Sequence, residues 1–232
     1  MSLLAPHLKA RLTLRVLARL LAYPDAELRR HLPELRAALD AEHALGRSRR
    51  AEIEALMDGI AKADALEAEA AYVELFDRGR STSLHLFEHV HGDSRDRGPA
   101  MIDLAQTYEQ AGLHLAPGEL PDYLPAVLEF VSTQPPREAR EFLAETAHIL
   151  NALFGALQQR GSAYASVLGA LLDLAGLKAQ AVKLAPEEPL DASWAEPLAF
   201  EGCSTQGQAR PAQPQPIHIV RKTPPVEGAQ AS

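Results

Sequence analysis

The sequence predicts an all-α protein: a single globular domain of roughly eight to ten helices, followed by a disordered tail. Apolar residues recur every three or four positions through most of the 232 residues, which is the spacing of one helix face. Few stretches alternate apolar and polar residues as strands do. Leucine and alanine dominate the hydrophobic 47% of the chain, whereas aromatic residues make up only 5%. The chain is long enough to bury a sizeable core.

Two helices are expected at the N-terminus. The first covers about residues 8–22 and ends before Pro24. Its arginines, four residues apart, would also fit a basic targeting peptide, but the leucines around the rest of its circumference favour a buried helix. Asp25 is placed to cap the second helix, and Pro33 should kink or split it.

A third and a fourth helix follow the loop that contains Gly46. Ser48 is in position to cap the third helix, and the fourth is expected over about residues 65–76. The apolar stripes of the second and third helices should face the core: Leu28, Leu32, Leu35, Leu39, Ile53, Leu56, Met57 and Ile60.

The middle of the chain predicts two further helices. A short one is expected over residues 82–91, with Gly92 closing it in the left-handed conformation. The next should open near Pro99 and end at Gly112, with Leu113 folding back onto its last turn.

A linker is expected at residues 114–121, before three C-terminal helical stretches. The first should start near Pro121. The others should cover about residues 137–159 and 162–181, again with apolar residues at helical spacing.

The composition changes near Pro186. Eight of the 17 prolines lie in the last 47 residues, among many Gln, Ala, Ser and Gly residues. Such a segment buries too little apolar surface to offset its chain entropy. We therefore expect a helical domain at residues 1–185 and a disordered tail at residues 186–232.

Composition also excludes several functions. The net charge of −8 argues against a nucleic-acid partner, because phosphate binding needs clustered cations. No stretch has the length and hydrophobicity of a membrane span. Cys203 is the only cysteine, which rules out a disulfide framework and favours the cytoplasm. The sequence has no phosphate-binding loop, dinucleotide-binding glycines or nucleophile elbow, so we predict neither an enzyme nor a cofactor.

Three of the nine histidines lie within STSLHLFEHVHGDSRDRG, at residues 81–98. In a regular helix His85 and His89 share a polar face, whereas His91 lies on the apolar side, so the three rings cannot converge on one ion. The zinc-protease pattern H-E-x-x-H is also absent, because Glu88 directly precedes the second histidine. A metal-binding protein or sensor that uses His85 and His89 stays open as an alternative function.

Three segments carry a resemblance to a known family. RLLAYPDAEL, then YVELFDRGRSTSLHLFEHVHGDSRDRGPAMIDL, then GELPDYLPAVLEFVS occur in this order between residues 19 and 132. Together they resemble the NarJ family, the delta subunits that act as assembly chaperones of respiratory nitrate reductase. This family is part of a wider TorD/DmsD-like group of redox enzyme maturation chaperones, and the resemblance extends over about residues 19–181.

The resemblance implies a cytoplasmic, all-helical chaperone that performs no chemistry. Such a chaperone binds the N-terminal segment of the catalytic (alpha) subunit of nitrate reductase. It keeps the apoenzyme competent for insertion of the molybdenum cofactor and delays docking to the membrane subunit. A monomer or weak dimer that is not itself a membrane protein is expected.

The resemblance also implies a peptide-binding site at the hinge. The wider family carries an E-x-P-D-H pattern there, which Glu119, Pro121 and Asp122 match, while Tyr123 replaces the histidine. The loss of that titratable group removes any histidine-dependent role at this position. Tyr123 can still stack and donate a hydrogen bond.

The residues themselves are compatible with a peptide site. A peptide with basic residues needs an apolar groove rimmed with acids. Nearby candidates comprise acids, adaptable hydrogen-bonding rings and one groove wall: Asp77, Glu88, Asp93, His85, His89 and Phe87. For each acid the alternative is a solvated surface position, and for Phe87 it is the core.

Overall fold

The computed structural model describes residues 10–92 and 94–180, and this part of the chain is helical. It contains ten α-helices and one short 3-10 helix at Arg80–Thr82, which confirms the all-α prediction. The helices are α1 Arg11–Leu21, α2 Ala26–Glu42, α3 Arg47–Lys62, α4 Ala65–Phe76, α5 Leu86–Val90, α6 Arg97–Gln110, α7 Leu124–Thr133, α8 Pro136–Glu145, α9 Ala147–Gln159 and α10 Ala165–Ala175.

Helix α1 lies at the centre of the core. It packs against α7, α2 and α10, and α10 in turn packs against α3, α8 and α9. Its fully buried leucines and those of α7 form the middle of one continuous cluster: Leu14, Leu17, Leu20, Leu21, Leu124 and Leu128. This burial favours a core helix over a targeting peptide.

The N-terminus of α1 is capped from a distance. The Glu42 carboxylate, at the end of α2, accepts hydrogen bonds from the backbone N–H groups of Leu12 at 2.8 Å and Thr13 at 2.7 Å. The Thr13 hydroxyl also donates to it at 2.8 Å. A negative charge suits the free N–H groups and dipole of a helix N-terminus.

Two predictions for the next helices need correction. Asp25 caps α2 as predicted, accepting the Leu28 N–H at 2.7 Å; of the two effects expected at Pro33, a kink or a split, the split does not occur, because α2 is one helix from Ala26 to Glu42. The proline is exposed, and buried leucines on the opposite face hold the helix against the core. Helix α3 begins at Arg47 after Gly46, so Ser48 is not its cap.

The predicted helix over residues 82–91 is wrong in its first half. Only α5 is helical after the 3-10 turn; the residues between them are not helical, and His85 is extended. The Leu86 N–H donates to the carbonyl of Asp122 at 3.0 Å, and the Leu124 N–H donates to the carbonyl of Leu84 at 2.8 Å. These long-range bonds take the groups that a helix would have used. Gly92 has the predicted positive φ, at 51°.

The remaining helices differ from prediction mainly at their ends. Helix α6 starts two residues before Pro99 and ends as predicted, with the Leu113 N–H bonded to the Tyr108 carbonyl at 2.9 Å. Helix α7 begins at Leu124 and not near Pro121. The stretch at residues 137–159 is two helices separated at Thr146, whose hydroxyl bonds back to the α8 carbonyls.

Several predictions fall outside the described residues: the first part of the N-terminal helix, Asp93, the domain boundary after residue 185, the tail and Cys203. Among the residues that are described, no helix combines the length and apolar character needed to cross a membrane.

Candidate functional site

The predicted hinge is joined to the histidine segment by its backbone. The two hydrogen bonds that link residues 84–86 to residues 122–124 form an isolated antiparallel bridge between His85 and Tyr123. The site therefore lies where α5, α6 and α7 begin.

Asp122 is the buried centre of this site, with none of its surface exposed. Its Oδ1 accepts a hydrogen bond from Nδ1 of His85 at 3.2 Å, and its Oδ2 accepts the Phe87 N–H at 3.2 Å. The Arg97 guanidinium lies 3.7 Å from Oδ2 as an ion pair. The carboxylate therefore connects three segments, and a peptide on the surface could reach it only by displacing them.

His85 is the partly exposed member of this network, with 32% of its side chain accessible. The hydrogen bond to the Asp122 carboxylate raises the pKa of His85 above its ordinary value of 6.5, against the opposing effect of burial. Its ring also lies against the Tyr123 ring, with centroids 5.4 Å apart. The charged form of His85 is thus favoured by the fold.

We expect His85 to make stability depend on pH. Because its folded pKa is raised, the stabilisation is fully present below about pH 6.5 and is lost as the pH rises through the raised pKa. Urea unfolding of the wild type and His85→Gln at about pH 6 and about pH 9 measures this. The gap between their midpoints should be larger at the lower pH. A gap that does not change with pH would contradict this role of the ring.

Tyrosine hydroxyls hold residues 121–123 in place. The Tyr123 hydroxyl lies 3.1 Å from the Tyr72 hydroxyl, which donates to the Leu21 carbonyl at 2.7 Å. The Tyr108 hydroxyl donates to the Pro121 carbonyl at 2.8 Å. Burial raises the pKa of all three tyrosines, so they stay protonated donors.

The other predicted acids, unlike Asp122, are exposed or half-buried. Glu119 is exposed and accepts the Ala116 N–H at 3.3 Å. Glu88 is half-buried, with Oε1 3.5 Å from the Arg97 guanidinium. Asp77 is exposed at the end of α4.

The structure brings His85, Glu88, Tyr123 and the Phe87 backbone together around Asp122. The half-buried Phe87 ring instead contacts the His91 ring edge-on, at 5.3 Å.

Sequence reasoning missed three contributors to this site: Arg97, Tyr72 and Tyr108. Arg97 lies in a segment rich in arginine and aspartate, where no pattern distinguishes one arginine from its neighbours. The two tyrosines lie on otherwise apolar helix stripes, and a buried hydroxyl in such a stripe needs a partner. The need of a buried tyrosine hydroxyl for a hydrogen-bond partner is the one sequence signal that could have indicated these two residues.

The alternative metal site finds no support in this geometry. His85 and His89 were expected on one helix face. His85 instead precedes α5, so the two residues do not share a helix face. Nε2 of His89 donates to the Ser83 carbonyl at 2.8 Å, and Nδ1 of His85 is bound to Asp122. Within residues 10–92 and 94–180, no group of three or more His, Cys, Asp or Glu side chains is arranged to hold a metal ion.

The fold is shared with a solved protein. A candidate redox enzyme maturation protein from Archaeoglobus fulgidus superposes with a TM-score of 0.53 at 18% identity, covering 75% of this chain and 98% of that one. Residues 22–168 match the nitrate reductase delta subunit family. The chain belongs to the nitrate reductase delta subunit family, as the sequence resemblance implied.

Relatives support the same assignment. The chain is 44% identical over 202 residues to NarJ of Escherichia coli K12, a nitrate reductase molybdenum cofactor assembly chaperone, covering 81% of this chain and 86% of that one. It is 32% identical over 161 residues to a candidate NarJ of Bacillus subtilis, covering 69% and 86%. The prediction of a chaperone and not an enzyme is confirmed by this kinship.

Proposed function

We propose that this chaperone binds the N-terminal segment of the catalytic subunit of respiratory nitrate reductase in the cytoplasm. In this way it keeps the apoenzyme competent for molybdenum cofactor insertion until the subunit docks at the membrane. Family membership and the named role of the relatives support the proposal. The observation that carries it is the site itself: half-exposed polar side chains held in fixed positions over a buried aspartate at the family's hinge motif.

We assign different roles to the residues of this site. His85, Glu88 and Tyr123 are partly exposed and can contact the peptide. Glu119 is exposed at the edge of the linker and can attract a basic residue. Asp122 is buried, so it acts as a positioning residue that orients the His85 ring.

The partner's chemistry follows from the charge of the chain. With a net charge of −8 and carboxylates at the rim of the site, the chaperone suits a segment that carries arginine or lysine. Apolar contacts should supply most of the affinity, and the charges should add selectivity and a faster association.

Titration calorimetry with a synthetic peptide of the catalytic subunit's N-terminus tests the proposal. We expect saturable binding to the purified chain, with a dissociation constant that rises between about 0.05 M and about 0.5 M salt as the charges are screened. The same peptide with its order scrambled is the control. A folded chaperone that gives no heat with the native peptide would refute the proposed function.

A further inference from the structure

Helix α4 exposes apolar side chains that the fold does not use. Leu66 is 77% exposed, Val73 is 36% exposed, and Ala70 between them is also exposed. Spacings of four and three residues place the three side chains on one side of the helix. Tyr23, 40% exposed in the turn before α2, lies beside them and completes a surface that we call the α4 face.

A neighbouring side of α4 already anchors the helix. Tyr72 and Phe76 are buried there, and both rings pack against Tyr164, with centroids 6.1 Å and 5.1 Å away. The fold therefore does not need the α4 face for its own stability. An apolar stripe left in water on a well-anchored helix is typical of a binding surface.

The α4 face encloses an open cleft of about 380 Å³ between Tyr23 and the helix. Glu69 and Glu74 border the cleft. The Tyr23 hydroxyl donates to the Glu69 carboxylate at 3.0 Å, and Arg78 pairs with Glu74 at 2.8 Å. These contacts hold both acids at the rim of the apolar surface.

The charge of α4 identifies the kind of partner. Between Ala65 and Phe76 the helix contains three glutamates and no lysine or arginine, and Asp64 and Asp77 lie at its two ends. A segment that is apolar on one side and basic on the other complements this surface in both respects.

The α4 face is also linked to the hinge site. The Tyr23 ring meets the Tyr72 ring edge-on at 5.6 Å, and the Tyr72 hydroxyl lies 3.1 Å from that of Tyr123. The α4 face is thus connected to Tyr123 through the buried Tyr72 side chain.

We propose that the α4 face is the docking surface for the N-terminal segment of the catalytic subunit, bound as a basic amphipathic stretch along α4. This inference rests on the proposed function and adds the location of the apolar contacts.

The double variant Leu66→Lys/Val73→Lys tests the location. Both positions are exposed, so folding should be unaffected, whereas lysines would place positive charge and polar groups against the apolar side of a basic peptide. Ile102→Lys is the matched control, because Ile102 is 59% exposed on α6, away from the cleft. Titration with the synthetic N-terminal peptide should show a dissociation constant about tenfold or more higher for the double variant. The control should bind as the wild type does.

The other outcomes separate this inference from the proposed function. If wild type and double variant bind the peptide equally, the docking location is wrong and the proposed function stands. If the wild type does not bind, both are wrong. If sedimentation shows a wild-type dimer that the double variant abolishes, the α4 face holds a second copy of the chain and the proposal is overturned. Unchanged peptide affinity with faster proteolysis after residue 180 in the double variant would assign the face to the chain's own tail instead.

Discussion

Asp122→Ala is expected to lower the free energy of unfolding by about 3 kcal/mol, because it removes the buried partner of two hydrogen bonds and an ion pair. The Phe87 N–H would lose its acceptor, His85 would lose its counter-charge, and Arg97 would keep only the Glu88 carboxylate, 3.5 Å away. The effect should lie at the lower end of the range for buried ion pairs. His85 and Arg97 keep 32% and 28% of their side chains accessible, so water can partly solvate them.

Urea unfolding with two companion variants measures this effect. Asp122→Asn keeps an acceptor for the Phe87 N–H but not the charge, and should lose about half as much stability. Glu119→Ala changes the exposed acid of the same motif and should stay within about 0.5 kcal/mol of the wild type. Equal midpoints for the Asp122→Ala and Glu119→Ala variants would show that the buried network does not stabilise the hinge.

The same variants test whether Asp122 orients the His85 ring or contacts the peptide directly. If Asp122 acts through His85, its replacement should shift the pKa of the His85 ring back toward the ordinary value, which NMR titration of the ring detects. A contact residue would weaken peptide binding and leave that pKa unchanged. This readout is independent of any loss of affinity.

Most of the helices could be predicted from local patterns. The stripes of α2, α3 and α7 recur at helical spacing, and the Asp25 cap and the Gly112 terminator lie within a few residues of the groups they bind. Each of these signals acts between near neighbours in sequence, so one window of sequence contains both partners.

The errors arise where the partner is distant in sequence. Residues 83–85 have a helical pattern, yet they are not helical, because the Leu84 carbonyl and the Leu86 N–H bond to residues 124 and 122. The α1 cap is similar, since Glu42 lies about thirty residues from the groups it binds. No local pattern indicates such a bond, because each segment has apolar residues at helical spacing whether or not the bond forms.

The candidate site shows the same limit. The family motif identified Asp122, but aspartate is almost never fully buried without a partner, so exposure was the natural expectation. Its burial is possible because Arg97 and His85, which lie 25 and 37 residues earlier in the sequence, are its partners. The sequence could therefore indicate that Asp122 belongs to the candidate site. The proposal that it orients the His85 ring depends on tertiary contacts.

Leu17→Ala should destabilise the protein by about 3 kcal/mol, through lost burial and the cavity left behind. Leu17 is fully buried in α1, the helix that packs against α7, α2 and α10. None of these helices can move into the space without disturbing its contacts with the others. Residues 121–123 lead directly into α7, so the position of α7 against α1 also sets where Asp122 lies.

The matched control is Leu12→Ala in the same helix, because Leu12 is 40% exposed and its replacement should change stability by less than about 0.5 kcal/mol. Both substitutions exchange leucine for alanine in one helix, so helix propensity cancels between them and only burial differs. Urea unfolding of the two variants measures that difference. If both variants lose the same stability, burial of the α1 side chains does not stabilise the protein, and α1 is not the centre of the core. A large loss for Leu17→Ala only would show that α1 is held by its buried side, and that a segment with the charge pattern of a targeting peptide is a structural part of the chaperone.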